Sequence, residues 1–298
     1  MQKLPEEAWE PFQSAPRFIP FRDACSEPSN FELFIIDCLK GLYKAISLGW
    51  FNYENFDVST YDALGRVENG GLNWIVPNKI LAFVAPSNKK TLRDLSVDEY
   101  VELFNRLGVG CVIKLNKEKY DHTKFVKNGI NFQDLNFHDG SVPEDHIIND
   151  FLQIVDREEA GVAVHCKAGL GRTGTLIGCY VIQEHGFTAL EFLGWCRICR
   201  PGSVLGPQQY FLCEYEEMVA NKGRKNDINR IKSPTVPNRG EKSLFEKYKA
   251  KFGDMGQADR LMQIMKSAPS SPNNLPGSNP TGRLGFGGLG KLRIPSKN

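Results

Sequence analysis

Cys166 and Arg172 bracket five residues of the stretch Val162-Ala-Val-His-Cys-Lys-Ala-Gly-Leu-Gly-Arg-Thr-Gly-Thr175, which runs from an apolar strand through a glycine-bearing loop into a helix. A loop this short lets the backbone N–H groups of Lys167, Ala168, Gly169, Leu170, Gly171 and Arg172 converge on one point. The helix start adds unpaired donors and the positive end of its dipole. Such a bowl fits a phosphate dianion. Positive charge around the thiol at its floor favours the thiolate, so Cys166 reads as a nucleophile. Arg172 offers a planar fork to two phosphoryl oxygens, which a lysine point charge matches less well.

Two other readings compete. A free cysteine often packs as a small hydrophobe, but this one stands in a loop with an arginine and a helix start. Gly169-x-Gly171-x-x-Gly174 also satisfies a dinucleotide fingerprint, yet residues 187–200 have helical spacing where that fold needs a second strand. No Gly-Lys-Ser/Thr follows, which sets nucleoside triphosphate chemistry aside.

Cleaving an alkyl phosphate releases a strongly basic alkoxide, so an acid is needed beside the nucleophile. The turn Phe137-His-Asp-Gly-Ser-Val-Pro143 supplies Asp139 in a loop between a strand end and a helix start. Asp134, on the strand, and Asp145, in the helix's first turn, are its rivals. No metal-ligand spacing is visible, and neither metal nor cofactor is expected. Cys196-x-x-Cys199 sits in a helical run without a second ligand pair and reads as core. His122, His138, His146 and His185 read as surface or structural histidines.

The elements that must position this chemistry follow from patterning. Strands are expected at 74–76, 80–85, 111–115, 132–137 and 162–165. Helices are expected at 31–48, from Ser96 to a stop at Gly108, from Pro143 to about Glu158, and near 172–185, 188–199 and 207–221. Alternating strands and helices give an α/β domain with a mainly parallel central sheet flanked by helices. The loop at Cys166 then lies at the carboxyl end of a strand, where such folds place ligands.

With 298 residues, 41% hydrophobic and 24% charged, the chain is long enough for one sizeable core and a smaller element. No apolar run reaches the roughly 18 residues of a membrane span, and residues 1–11 lack the basic-then-apolar order of a secretory signal. Eight irregularly spaced cysteines fit reduced thiols in an intracellular protein. The net charge of +2 is unevenly placed: residues 1–221 carry 21 Lys and Arg against 30 Asp and Glu, and residues 222–298 carry 16 against 5. An acidic body suits a basic peptide rather than nucleic acid. Residues 222–298 read as a basic, disordered tail. Ser233-Pro and Ser271-Pro in it match sites of proline-directed kinases, and 243–265 could form a broken amphipathic helix.

The string from His165 to Gly174, with Arg197-Ile-Cys-Arg-Pro-Gly-Ser203 and Gly206-Pro-Gln-Gln209, resembles the cell division cycle fourteen family of dual-specificity protein phosphatases. Phe21-Arg-Asp23, Asp37-Cys-Leu-Lys-Gly41, Phe56-Asp-Val58, Arg66-Val-Glu-Asn-Gly70 and Asn73-Trp-Ile-Val-Pro77 extend the likeness over about residues 16–220. The resemblance implies a phosphocysteine on Cys166, with Arg172 and the loop backbone holding the phosphoryl group and Asp139 as acid, then base. It implies that Thr173 helps release the thiolate, that His165 tunes Cys166 through hydrogen bonds, and that Gln208 positions the hydrolytic water. Glu54 and Asp57 match acidic positions of a groove selecting phosphoserine followed by proline and a basic residue. Nucleus or cytoplasm, spindle or centrosome, are the locations it implies.

The family carries two tandem domains. Residues 1–60 therefore read as a remnant and linker helix after a largely missing first domain, 61–221 as the catalytic domain and 222–298 as the tail. The apolar 31–48 helix would then lack its usual cover, and self-association is expected. A phosphoinositide phosphatase is the alternative reading, although Leu170 stands where that class often has a second basic residue. A phosphate-binding pseudoenzyme or scaffold is the non-enzyme option.

Overall fold

A computed structural model describes residues 3–15, 18–21, 23–24, 31–87 and 94–229, the side chains of 222–229 excepted. The two Ser-Pro sites, the 243–265 stretch and nearly all of the basic tail lie outside the described residues. In order the elements are α1 (Pro5–Trp9), α2 (Ile35–Ser47), α3 (Val58–Gly65), β1 (Asn73–Val76), β2 (Ile80–Phe83), α4 (Val97–Leu107), β3 (Val109–Lys114), α5 (Thr123–Lys127), β4 (Asn131–Asp134), α6 (Asp145–Arg157), β5 (Gly161–His165), α7 (Gly171–His185), α8 (Ala189–Cys199) and α9 (Pro207–Asn229).

The sheet runs β1-β2-β5-β3-β4, with β1 antiparallel and the other pairings parallel. Every residue of β5 is buried, as its unalternating run Val162-Ala-Val requires of a central parallel strand covered on both faces. Register aligns His165 with Phe83 on β2 and with Lys114 on β3, so three strand ends reach one level. The Cys166 loop rises from that level, at the carboxyl edge of the sheet.

Local signals set most boundaries. The Ser96 hydroxyl accepts from Glu99 N and the Glu99 carboxylate accepts from Ser96 N, a reciprocal cap that starts α4. Gly108, at φ +69°, ends it. Several expected boundaries are corrected: α2 starts at Ile35 rather than 31, and β2 stops at Phe83 rather than 85. The helix expected from Pro143 starts at Asp145, behind the cap position Glu144. The strand expected over 132–137 stops at Asp134, where its regular register with β3 ends at Lys114, although Leu135 N still donates to Lys114 O and Phe137 N to Leu115 O. The turn that carries Asp139 follows Phe137, the last residue of this segment to bond across to β3's end. Helix α9 continues to Asn229, past the expected end at 221. The short helices α3 and α5 escaped sequence patterning; eight and five residues are too few to show a clear period.

Helix α2 finds cover inside the chain. It crosses α8 at glycines: a Cβ on Gly41 would lie 2.2 Å from Glu191 O, and one on Gly194 would lie 2.7 Å from Asp37 O. Trp50 then stacks on Phe187, with centroids 5.3 Å apart. Ile35 and Leu48, at or beside its two ends, remain exposed, and Ile36, Leu39, Tyr43 and Ile46 are only half-buried, so the apolar face expected to lie bare is reduced by α8 but not fully covered.

Candidate active site

Cys166 follows the last residue of β5 and is buried. Burial alone would push its thiol up. The Arg172 guanidinium, the hydroxyl and N–H of Thr173 and the Leu170 N–H outweigh it, and the thiol lies below its ordinary value. The buried Thr173 hydroxyl has no hydrogen-bond partner among the described residues, and its nearness helps to lower the Cys166 thiol.

Arg172 is the second residue of α7 and is buried. One Nη donates to Leu115 O at 3.1 Å and Phe137 O at 3.0 Å, anchoring the fork to the ends of the β3 and β4 segments. The other Nη lies 3.0 Å from Asp139 Oδ1. Its Nε is buried with no hydrogen-bond partner, a donor left open for an oxyanion. Asp139 is thus brought to the bowl by an ion pair with the arginine that would hold the phosphoryl group. Gly140, at φ +74°, turns the chain beyond it, and Ser141 closes the turn through its hydroxyl to His138 O. The rivals sit elsewhere. Asp134 pairs with Lys114 at 2.7 Å, and Asp145 occupies the first turn of α6.

His165 is fully buried, and its hydrogen bonds reach Cys166 through the backbone. Nδ1 lies 2.8 Å from Cys166 O, an acceptor only, so Nδ1 carries the proton and Nε2 accepts from the Tyr120 hydroxyl at 2.7 Å. Burial takes His165 down to about 3, so the ring is neutral at physiological pH and fixes the cysteine's main chain without adding charge. Tyr120 was not singled out from the sequence; nothing in the spacing of a lone tyrosine marks a partner 45 residues away.

Gln208, in the first turn of α9, accepts from Leu205 N at 3.2 Å and donates to Ser141 O at 3.0 Å, linking the helix to the Asp139 loop. A Cβ on Gly171 would lie 2.9 Å from Gln208 Oε1, so the amide closes directly on the bowl's rim. The neighbouring segment is braced by Arg197, which donates to Ser203 O, Val204 O and Gln209 Oε1, and by Asp23, which accepts from Gly206 N and Gln209 Nε2. Val204 is held there at φ +60° with its side chain against Gly174. A β-branched residue adopts that conformation only when its surroundings impose it. Leu170 turns into a small apolar cluster with Ala168 and Leu205. Lys167 pairs with Glu118 at 3.4 Å.

Glu54 and Asp57 are exposed and belong to the approach to α3. Both oxygens of Asp57 are engaged in capping that helix, through Thr60 N at 3.0 Å and the Thr60 hydroxyl at 2.6 Å. These hydrogen bonds lower the Asp57 carboxyl from its usual value. Cys196 and Cys199 are buried free thiols whose ionisation burial suppresses. Among the described residues, no three or more His, Cys, Asp or Glu side chains group as a metal site, and no helix is long and apolar enough to cross a membrane.

A mainly parallel sheet with an ionisable thiol in an anion-cradling loop at its carboxyl edge defines the cysteine-dependent phosphatase class. Residues 69–203 match the family model described as Swiss Army Knife protein, DSP-PTPase phosphatase domain. Residues 1–45 match the one described as dual specificity protein phosphatase, N-terminal half. The chain is 41% identical over 281 residues to dual specificity protein phosphatase CDC14A of Homo sapiens, covering 92% of this chain and 46% of the relative. It is 38% identical over 263 residues to tyrosine-protein phosphatase cdc-14 of Caenorhabditis elegans, covering 87% of this chain and 36% of the relative. A crystal structure of PTPMT1 overlaps 52% of this chain and 99% of that chain, at 22% identity and a TM-score of 0.44. The chain belongs to the cell division cycle fourteen family of dual-specificity protein phosphatases. It spans less than half the length of these two relatives.

Proposed function

We propose that the chain is a phosphoprotein phosphatase acting through a phosphocysteine, on phosphotyrosine and on phosphoserine or phosphothreonine at proline-directed sites with a nearby basic residue. The observation that carries this reading is a thiol lowered by its loop and by Arg172, with the Asp139 carboxylate 3.0 Å from that same arginine. The Cys166 thiolate attacks phosphorus. An S–P bond forms as the ester P–O bond breaks, and the leaving oxygen takes a proton from Asp139, which acts in its protonated carboxyl form once the phosphoryl group has replaced it at Arg172. Arg172 and the amides of Lys167 to Arg172 meet the charge that gathers on the phosphoryl oxygens. A water held by Gln208 then gives a proton to the Asp139 carboxylate and attacks phosphorus. The thiolate leaves, supported by the Thr173 hydroxyl, and inorganic phosphate departs.

Membership of the family supports phosphoproteins as substrates and a place in cell division, and the acidic body of the chain suits a basic peptide; nucleus or cytoplasm is the location proposed with this reading. Glu54 is the cleaner probe of the peptide groove, since Asp57 also caps α3. On a panel of phosphopeptides, Glu54→Lys is expected to lower kcat/KM for phosphoserine-proline peptides with a downstream Lys or Arg by up to about fivefold, the scale of one exposed ion pair. Turnover of a small aryl phosphate, which does not reach the groove, is expected to be unchanged. A panel on which the wild-type chain hydrolyses no phosphopeptide would refute the proposed function. Equal losses on both substrate types would remove Glu54 from the groove.

A further inference from the structure

Arg200 lies just beyond the end of α8 and is buried at 2% exposure. Its guanidinium makes four hydrogen bonds, all to neutral acceptors. Nε donates to Gly169 O at 2.7 Å, one Nη to Ala168 O at 2.9 Å, and the other Nη to Gly71 O at 2.6 Å and Asn73 Oδ1 at 2.7 Å. Two of these bonds grip successive carbonyls of the phosphate loop from its outer side, and two fix the guanidinium to the turn before β1 and to its first residue.

We propose that Arg200 is the positioning residue of the phosphate loop, holding the Ala168 and Gly169 carbonyls outward so that the amides of the same peptides face the bowl. The argument is geometric. In a planar trans peptide the C=O and N–H point in opposite directions, so fixing one aims the other. The peptide whose carbonyl is Gly169 O carries the Leu170 N–H, and that N–H is one of the donors supporting the Cys166 sulfur. The peptide of Ala168 O likewise carries the Gly169 N–H. Gly169 makes this path possible. It stands at φ +66°, and a Cβ there would lie 2.0 Å from Phe83 O and 2.9 Å from the Arg200 guanidinium. Lysine has a single nitrogen and cannot span four acceptors on two segments.

This inference rests on the phosphatase reading, but it is tested by measurements that need no turnover. Wild type, Arg200→Lys and Val155→Ala, the last a cavity control in the α6 core, are compared as the full chain. The affinity of inorganic tungstate for the bowl and the pH midpoint of Cys166 alkylation by iodoacetate are read for each. One misaligned oxyanion donor costs on the order of 10²-fold in rate. Arg200→Lys is accordingly expected to weaken tungstate at least about tenfold, raise the alkylation midpoint and lower kcat/KM for a small aryl phosphate by about a hundredfold. Val155→Ala, although destabilised, is expected to keep wild-type tungstate affinity and midpoint. Should Arg200→Lys fail to fold, Asn73→Ala, which removes one guanidinium anchor without touching the loop, is expected to shift both readouts in the same direction. Wild-type values for both readouts in folded Arg200→Lys, or in Asn73→Ala when Arg200→Lys does not fold, would overturn the proposal. A wild-type chain that binds tungstate and alkylates at lowered pH yet turns over no phosphopeptide would refute the function and leave the positioning role standing.

Discussion

Cys166→Ser is expected to reduce turnover of every phosphate ester by a thousandfold or more, on the order of the loss when an enzyme's nucleophile is removed, while phosphopeptide binding persists. The bowl acts on its floor residue by stabilising an anion. Arg172, the Thr173 hydroxyl and N–H and the Leu170 N–H bring the thiol below its ordinary value against the cost of burial. A serine hydroxyl in the same place stays protonated at neutral pH and attacks phosphorus poorly. The donors that hold the phosphoryl group are untouched, so affinity for an oxyanion should change by less than about threefold. Phosphate-release kinetics and peptide binding by calorimetry separate the two effects. A serine variant that retains a tenth of wild-type turnover would rule out the sulfur as nucleophile.

Asp139→Asn is expected to divide substrates by leaving group. An alkoxide needs its proton during P–O cleavage, and loss of a positioned acid costs on the order of 10²- to 10⁴-fold. A phenolate carrying an electron-withdrawing group departs without a full proton, so aryl phosphates should lose about tenfold less. The ion pair of Asp139 with Arg172 adds a second consequence. The asparagine variant leaves one Nη without its carboxylate, and an oxyanion competing for that position should bind as well as or better than it does to wild type. Phosphoserine peptide and aryl phosphate turnover in parallel would check the split. Equal losses on both would move the acid to another residue.

The sequence and the structure meet most closely where local chemistry decides. The unbroken apolar run before Cys166 is a central strand, and the Ser96 and Gly108 signals bound α4 to the residue. Tertiary pairing decides elsewhere. Residues 135–137 have strand-like composition and still bond across, Leu135 N to Lys114 O and Phe137 N to Leu115 O, but the regular ladder with β3 ends at Lys114 and Asp134. Cys166 and Arg172 declare themselves by spacing, since six positions and two intervening glycines fix a bowl. The groups that hold the bowl in shape do not. Tyr120 reaches His165, Asp23 reaches Gln209, and Arg200 reaches Gly71, over separations of 45, 186 and 129 residues. A buried arginine is legible only once its acceptors are known, and those of Arg200 are backbone carbonyls and one amide, which carry no identity in sequence. Asp57 shows the reverse case. Its residue type and place fit both a groove acid and a helix cap, and the structure gives it the cap.

The most direct test of the account is to trap the intermediate. Mixing the chain with a phosphotyrosine peptide labelled on phosphorus, quenching in acid within the first turnovers and mapping the labelled peptide locates the bond that the mechanism requires. The account predicts a label on Cys166 that appears in a burst approaching one equivalent of chain when hydrolysis is the slower step, that decays with release of phosphate, and that is absent from Cys166→Ser. Turnover at the wild-type rate with the label on another residue, or a label that persists in Cys166→Ser, would contradict it.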